Sequence, residues 1–263
     1  MSALATASLA QRELVRFLRQ RSRVTGALAT PLVFWLALGA GLGRSFRPIG
    51  APDGTSALAF LFPGTVLLMV LFTAIFATIS LIEDRQSGFL QSVRVAPIPS
   101  WSLVLGNVLG GTTLAVGQGA LLLLLAPLTG VHLGWGSALT TLAMLALVAF
   151  ALGALGFAIA WRVDSTAGYH AVMNLLLMPM WMLSGALFPQ QGAAGWMQVL
   201  MTFNPMTYAL AAVRRCMASG APAATLDGMP PLGMAVMVTA LAALLAILAA
   251  MHAVGRTTRR QAI

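Results

Sequence analysis

The chain has 263 residues, of which 59% are hydrophobic and 8% charged, and its mean hydropathy of +0.89 excludes an ordinary soluble domain. The net charge of +9 comes from fifteen basic residues, all arginine, against six acidic ones; their placement beside long apolar runs points to membrane topology and away from nucleic acid. The single cysteine, Cys216, excludes an intrachain disulfide and a cysteine metal cluster.

In chain order, Arg12, Arg16, Arg19 and Arg23 come first, at spacings that place them in one narrow helical arc. Ala10, Leu14, Phe17 and Leu18 occupy the opposite face. This predicts an amphipathic interface helix over 8–23, lying in the inner headgroup layer with its arginines towards anionic lipid. Six apolar runs follow, at 24–42, 57–82, 102–127, 137–161, 169–188 and 231–254. Each is long enough to cross a hydrocarbon core of ~30 Å as a helix. Lipid offers no partner to backbone N–H and C=O groups, so such runs must be helical. The predicted fold is an all-α polytopic membrane protein, one domain over 1–263 with six transmembrane helices.

Between runs two and three, Glu83-Asp84-Arg85-Gln86-Ser87-Gly88 opens the most polar stretch of the chain. The residues after it predict a short helix over about 85–95, stopped by Pro97, within a loop at 83–101. Run three carries Gly106-x-x-x-Gly110, a spacing that lets helix backbones approach closely; internal packing is favoured over a dimer seam. Over 189–230 the pattern predicts two short half-buried helices, 195–203 and 206–217, forming an outer re-entrant segment. Trp196, Val199, Leu200 and Phe203 make one apolar face, and Asn204-Pro205 supplies a cap followed by a first-turn proline.

Sorted by connection, eleven arginines lie before run one, between runs two and three, between four and five, and after six. Only Arg44, Arg47, Arg214 and Arg215 lie on the other side. The positive-inside rule puts both termini and 83–101 in the cytoplasm, with 44–56 and 189–230 outside. The first residues do not read as a cleavable signal peptide.

Chemistry is sparse. A phosphate-cradling loop ending in Gly-Lys-Ser/Thr cannot form without lysine, and no catalytic residue is expected. The acidic residues Glu13, Asp53, Glu83, Asp84, Asp164 and Asp227 sit in loops or at run ends, which argues against proton- or sodium-coupled transport. His132, His170 and His252 are too dispersed for a metal site. Gln118 and Asn174 are intramembrane polar residues that either bind helices together or line a cavity, with the first favoured. Met173, Met178, Met180 and Met182 cluster around Pro179; they read as gap-filling residues first, and as an adaptable apolar ligand surface second.

Three stretches together resemble ABC-2 type exporter permeases, over nearly the whole chain. They are Glu83–Leu90 with Val95-Ala96-Pro97 and Leu105-Gly106, then Leu183-Ser184-Gly185-Ala186-Leu187-Phe188-Pro189, then Phe203-Asn204-Pro205-Met206-Thr207-Tyr208 followed by Arg214. The resemblance implies two permease subunits, here as a homodimer in a bacterial inner membrane, paired with two separate ATP-binding cassette subunits. ATP and Mg belong to those partners, and this chain needs no cofactor. It also implies a coupling helix with Glu83, Asp84, Arg85, Gly88, Phe89 and Arg94 touching the ATPase, and an interface helix bearing Arg12, Arg16, Arg19 and Arg23. The usual basic residue after the Leu-Gly pair is replaced by Asn107. Asn174, Met178 and Met182 are expected to line a pathway formed by spans one, two and five. The function expected is ATP-driven export of a hydrophobic or amphiphilic substrate: a drug, lipid or lipid-linked glycan. The alternative is a non-transporting membrane assembly factor or an ATP-independent carrier; a neighbouring ATPase gene separates them.

Overall fold

The computed structural model describes residues 2–43, 56–88, 99–131, 133–218 and 228–260, and among these every regular element is helical. The α-helices are α1 (Ser2–Arg19), α2 (Arg21–Leu42), α3 (Ala57–Gln86), α4 (Ser100–Leu123), α5 (Trp135–Ala160), α6 (Thr166–Trp181), α7 (Gly195–Phe203), α8 (Pro205–Met217) and α9 (Leu232–Arg260). Four stretches, Val24–Leu42, Ala57–Gln86, Trp135–Ala160 and Leu232–Arg256, are long and apolar enough to cross a membrane. The apolar run of α4 is diluted by Asn107, Gln118 and its glycines, and α6 has only 16 residues.

The central post is α3. Its 30 residues reach about 45 Å at 1.5 Å per residue, and nearly all of it is buried, with Phe62, Val66, Leu67, Val70, Leu71 and Ile82 sealed completely. Ser56 caps its start by accepting the Ala59 N–H at 3.1 Å. Helices α2, α4, α5 and α6 pack around it, α1 lies along α4, and α9 closes the far side against α5 and α8. Lipid is as apolar as leucine, so close contact and buried hydrogen bonds must hold these helices together. Glycines permit the contact: a Cβ on Gly64 would lie 2.8 Å from that of Ala186, and one on Gly119 would lie 2.9 Å from Leu145. Hydrogen bonds supply the rest, between Thr73 on α3 and Gln118 on α4, and between Thr78 on α3 and Tyr169 on α6. Gln118 therefore binds helices together, as its sequence context favoured.

Three boundaries differ from the sequence reading. The expected helix over 8–23 breaks at Gln20, whose ψ of 82° is not helical, so Arg21 begins α2. Glu83, Asp84 and Arg85 form the last turn of α3 and do not open a separate helix; Gly88, with φ +77°, ends the described segment. The remainder of the expected 85–95 helix, with Phe89 and Arg94, lies outside the described residues. The run 169–188 is not one straight helix: α6 stops at Trp181 and passes into a π turn, Met182–Ala186, in which Gly185 has φ +92°. Pro179 removes a backbone donor from the last turn of α6, and Gly185 adopts a geometry that a side chain would strain.

Candidate functional site

Polar side chains concentrate at two places, one at each end of α3. At the α1 end, Asp84 is the hub. The Arg12 guanidinium donates to both carboxylate oxygens at 2.7 Å, and Arg16 donates to Oδ1 at 2.6 Å. Arg16 also donates to Glu83 Oε2 at 2.7 Å. Asp84 is buried, its side chain 7% exposed, while Arg12 and Arg16 remain 32% and 25% exposed. The forked bond from Arg12 is the geometry that guanidinium planarity favours, and it holds Arg12 more firmly protonated.

The lattice extends sideways. Arg85 donates to Trp161 O at 2.9 Å and to Val163 O, and lies 3.4 Å from the exposed Asp164 carboxylate. Gln86 donates to Asp164 O at 3.0 Å. One turn of α3 thereby grips α1 on one side and the α5–α6 connection on the other.

The seat of α1 is made by α4. A Cβ on Gly106 would lie 2.6 Å from Leu9 Cβ, and one on Gly110 would lie 2.9 Å from Glu13 Cβ and 3.0 Å from Ala10 O. The Gly-x-x-x-Gly pair is thus internal packing, but its partner is the amphipathic helix and not another span. Glu13, 6% exposed, is pressed into this seat beside Ser80 and Asn107. Burial pushes its carboxyl above the ordinary value of 4.5, opposed by the hydrogen bond with Ser80 and by the charges of Arg12 and Arg16, with Asp84 adding a smaller upward push.

At the opposite end, the π turn is held by the α7–α8 segment. Asn204 Oδ1 accepts the Met206 N–H at 3.0 Å, the expected cap, and its Nδ2 donates to Met180 O at 2.6 Å. Arg214 is buried, donating to Gly185 O at 3.1 Å with its guanidinium 4.4 Å above the Phe60 ring. Trp181 Nε1 donates to Gly64 O at 2.8 Å. Carbonyls freed by the break in α6 therefore have named donors.

Two comparisons with known proteins bear on this arrangement. The ABC-2 type transporter family model matches residues 5–218. The chain belongs to that family. Nodulation protein J of Rhizobium meliloti (strain 1021) is 28% identical to this permease over 196 residues, 74% of this chain and 73% of the relative. Nodulation protein J of Rhizobium leguminosarum bv. viciae is 27% identical over 196 residues, 74% of each chain. The daunorubicin resistance ABC transporter permease protein DrrB1 of Streptomyces coeruleorubidus is 26% identical over 200 residues, 71% of this chain and 65% of the relative.

Set against the sequence-based sites, the structure of the permease unites some residues and disperses others. Arg12, Arg16, Glu83 and Asp84 form one lattice, so the first two arginines face protein and not lipid. Their charge is drawn inward because Asp84 is buried and needs compensation. Arg19 is exposed, and Arg23 lies in α2, of whose side chain nothing is described. Asn174 and Met182 are exposed on the outer side of α6 and the π turn, whereas Met178 is half-buried. The sequence reading missed Glu13 as a buried group and Arg85 as a clamp on the α5–α6 connection. An acidic residue between two arginines of one helical arc was the available signal for Glu13.

Proposed function

We propose that this permease is the transmembrane subunit of an ATP-driven exporter, with α2, α3, α4, α5, α6 and α9 as its six spans. Both termini face the cytoplasm of a bacterium and the protein lies in the inner membrane, as the 11-to-4 division of arginines supports. Two copies pair, and two ATP-binding cassette subunits dock where α1 meets the last turn of α3. The observation that carries this reading is the lattice at the end of α3. A membrane chain without a fuel site needs a stiff handle through which an ATPase can move helices. Here α1, the last turn of α3 and the α5–α6 connection are tied by charged hydrogen bonds, so force on one reaches all three. At its far end α3 grips the break in α6 through Gly64 and Phe60, which supports transmission along a single helix to the outer side.

The pathway runs along the faces that α2 and α6 leave open. Asn174 and Met182 lie on that side, with Phe34 of α2 against Trp181 of α6 at 5.5 Å between ring centroids. The substrate is hydrophobic or amphiphilic (a drug, lipid or lipid-linked glycan), in keeping with a largely apolar surface bearing one amide. Similarity to a daunorubicin resistance permease and to nodulation proteins is consistent with this class without choosing within it. The test is reconstitution with an ATP-binding cassette subunit that co-purifies with it: ATP-dependent extrusion of amphiphilic dyes or labelled lipid supports the proposal, and a complex that turns over ATP with no substrate movement across a broad panel argues against it.

A further inference from the structure

Beside the α7–α8 segment the chain forms an open cavity of about 350 Å³. Its walls are Gln190 of the short turn Gln190–Gly192, Thr202 near the end of α7, Thr207 and Tyr208 in the first turn of α8, and the Met229-Pro230 segment ahead of α9. Arg215 fixes that last wall, donating to Met229 O at 2.9 Å and to Pro230 O at 2.7 Å. Small-molecule sites span ~300–1,000 Å³, so this cavity has room for a headgroup and not for a whole drug-sized amphiphile.

The hydrogen bonds of the walls decide what fits. Every hydroxyl proton is already committed: Tyr208 Oη donates to Thr202 O at 2.9 Å, Thr202 Oγ1 to Gln198 O at 2.8 Å, and Thr207 Oγ1 to Leu183 O at 3.3 Å. Gln190 Nε2 donates to Thr202 Oγ1 at 3.3 Å. A hydroxyl carries one proton and two lone pairs, so what these three groups retain is acceptor capacity. A phosphate needs donors and would meet oxygen lone pairs. An ammonium group would find no carboxylate among the lining residues and would enter unpaired. A neutral group with several O–H donors, a sugar or polyol, meets acceptors.

A second feature adjoins the first. Phe203, next to Thr202, is 82% exposed, and with Trp196, Val199 and Leu200 it makes an apolar face of α7 that no described part of the chain covers. One nine-residue helix thus carries an open apolar face and lends Thr202 to a polar cavity.

We propose that the cavity binds the neutral, multiply hydroxylated headgroup of an amphiphile whose alkyl chains lie along the apolar face of α7. Thr202, Thr207 and Tyr208 accept from the headgroup hydroxyls. The site gives the exporter reading a headgroup class, and rests on that reading only for its part in transport. Thr207 bonds Leu183 O, so the cavity wall is tied directly to the break in α6.

The test is photolabelling of the full chain in phosphatidylcholine nanodiscs, without an ATPase. The probe is a glucosyl diacylglycerol with a diazirine on its sugar. The controls are phosphatidylethanolamine carrying the same diazirine on its headgroup, and free diazirine-glucose. Both faces of a nanodisc are open, so the result is independent of orientation, and a failed extrusion assay would leave it standing. Mass spectrometry should find the glucolipid on peptides containing Gln190, Thr202 and Met229, suppressed by excess unlabelled glucolipid. Thr202→Trp, which fills the cavity from an exposed position, should reduce this labelling to background. Thr207→Val removes one acceptor and one long bond, and should weaken competition by roughly two- to tenfold. Should Thr202→Trp fail to insert, the controls and Thr207→Val decide alone. Labelling by the phosphatidylethanolamine control as strong as by the glucolipid, or labelling that survives Thr202→Trp, overturns the site. Equal labelling by free diazirine-glucose overturns the part assigned to α7.

Discussion

Replacing Asp84 with Asn keeps the shape of the hub and removes its charge. Three charged hydrogen bonds, two at 2.7 Å and one at 2.6 Å, then lose their anionic acceptor, and the Asn amide can present only one oxygen to two guanidinium groups. Breaking a buried ion pair from one side costs about 3–5 kcal/mol. Arg12 and Arg16 are a third and a quarter exposed, so water rehydrates them in part and the lower figure, about 3 kcal/mol, sets the scale. At ~1.4 kcal/mol per decade that is roughly a 100-fold shift in the equilibrium between seated and released α1. The assay is hydrogen exchange of the nanodisc-embedded chain, which reports local opening of α1 separately from the spans. Exchange across 2–19 should accelerate by roughly this factor while α5 and α9 stay protected. Glu83→Gln, which touches Arg16 from a 30% exposed side chain, should change it by about 1 kcal/mol or less. Wild-type exchange in Asp84→Asn would refute the idea that the lattice holds α1.

Gly110→Leu should unseat α1 by overpacking at about 1–3 kcal/mol, lowering the thermal midpoint in detergent, whereas Gly117→Leu, which meets open space, should not. The folded value of Glu13 is raised, so its contribution to stability is fully present below 4.5 and lost as pH rises through the folded value; thermal stability should decline over that range in wild type and show a flatter profile in Glu13→Gln. Asn174→Trp and Met178→Trp should impair export while leaving the protein inserted in the membrane, and unchanged export by both in a vesicle assay would mean that these residues only pack.

Much of the fold was legible because the bilayer restricts the menu. The start of α3 at Ala57, the extent of α5 and the Asn204 cap follow from run length and capping chemistry. The arc of arginines on α1 was also legible, but amphipathicity identifies a face without naming what the face meets. Asp84 lies 72 residues from Arg12, and nothing local reveals that distance closing. The same holds for Gly106 and Gly110, whose spacing announces close approach without saying to which helix. The break after Trp181 was foreshadowed by Pro179 and Gly185 but hidden by continuous hydropathy, since a π turn keeps its side chains apolar. Arg214 looks like an outer-loop charge in sequence; its role emerges only when the break in α6 leaves Gly185 O in need of a donor.

The central claim is that the end of α3 couples a partner's ATP hydrolysis to movement of substrate. Gly88 adopts φ +77°, while proline fixes φ near −65°, so Gly88→Pro must rebuild the exit from α3 without disturbing the buried spans. The most direct measurement is ATP turnover and substrate extrusion recorded together, in proteoliposomes holding the permease and an ATP-binding cassette subunit that co-purifies with it. The account predicts that Gly88→Pro complexes assemble and hydrolyse ATP but extrude little substrate per ATP. Assembly with wild-type extrusion per ATP would contradict it.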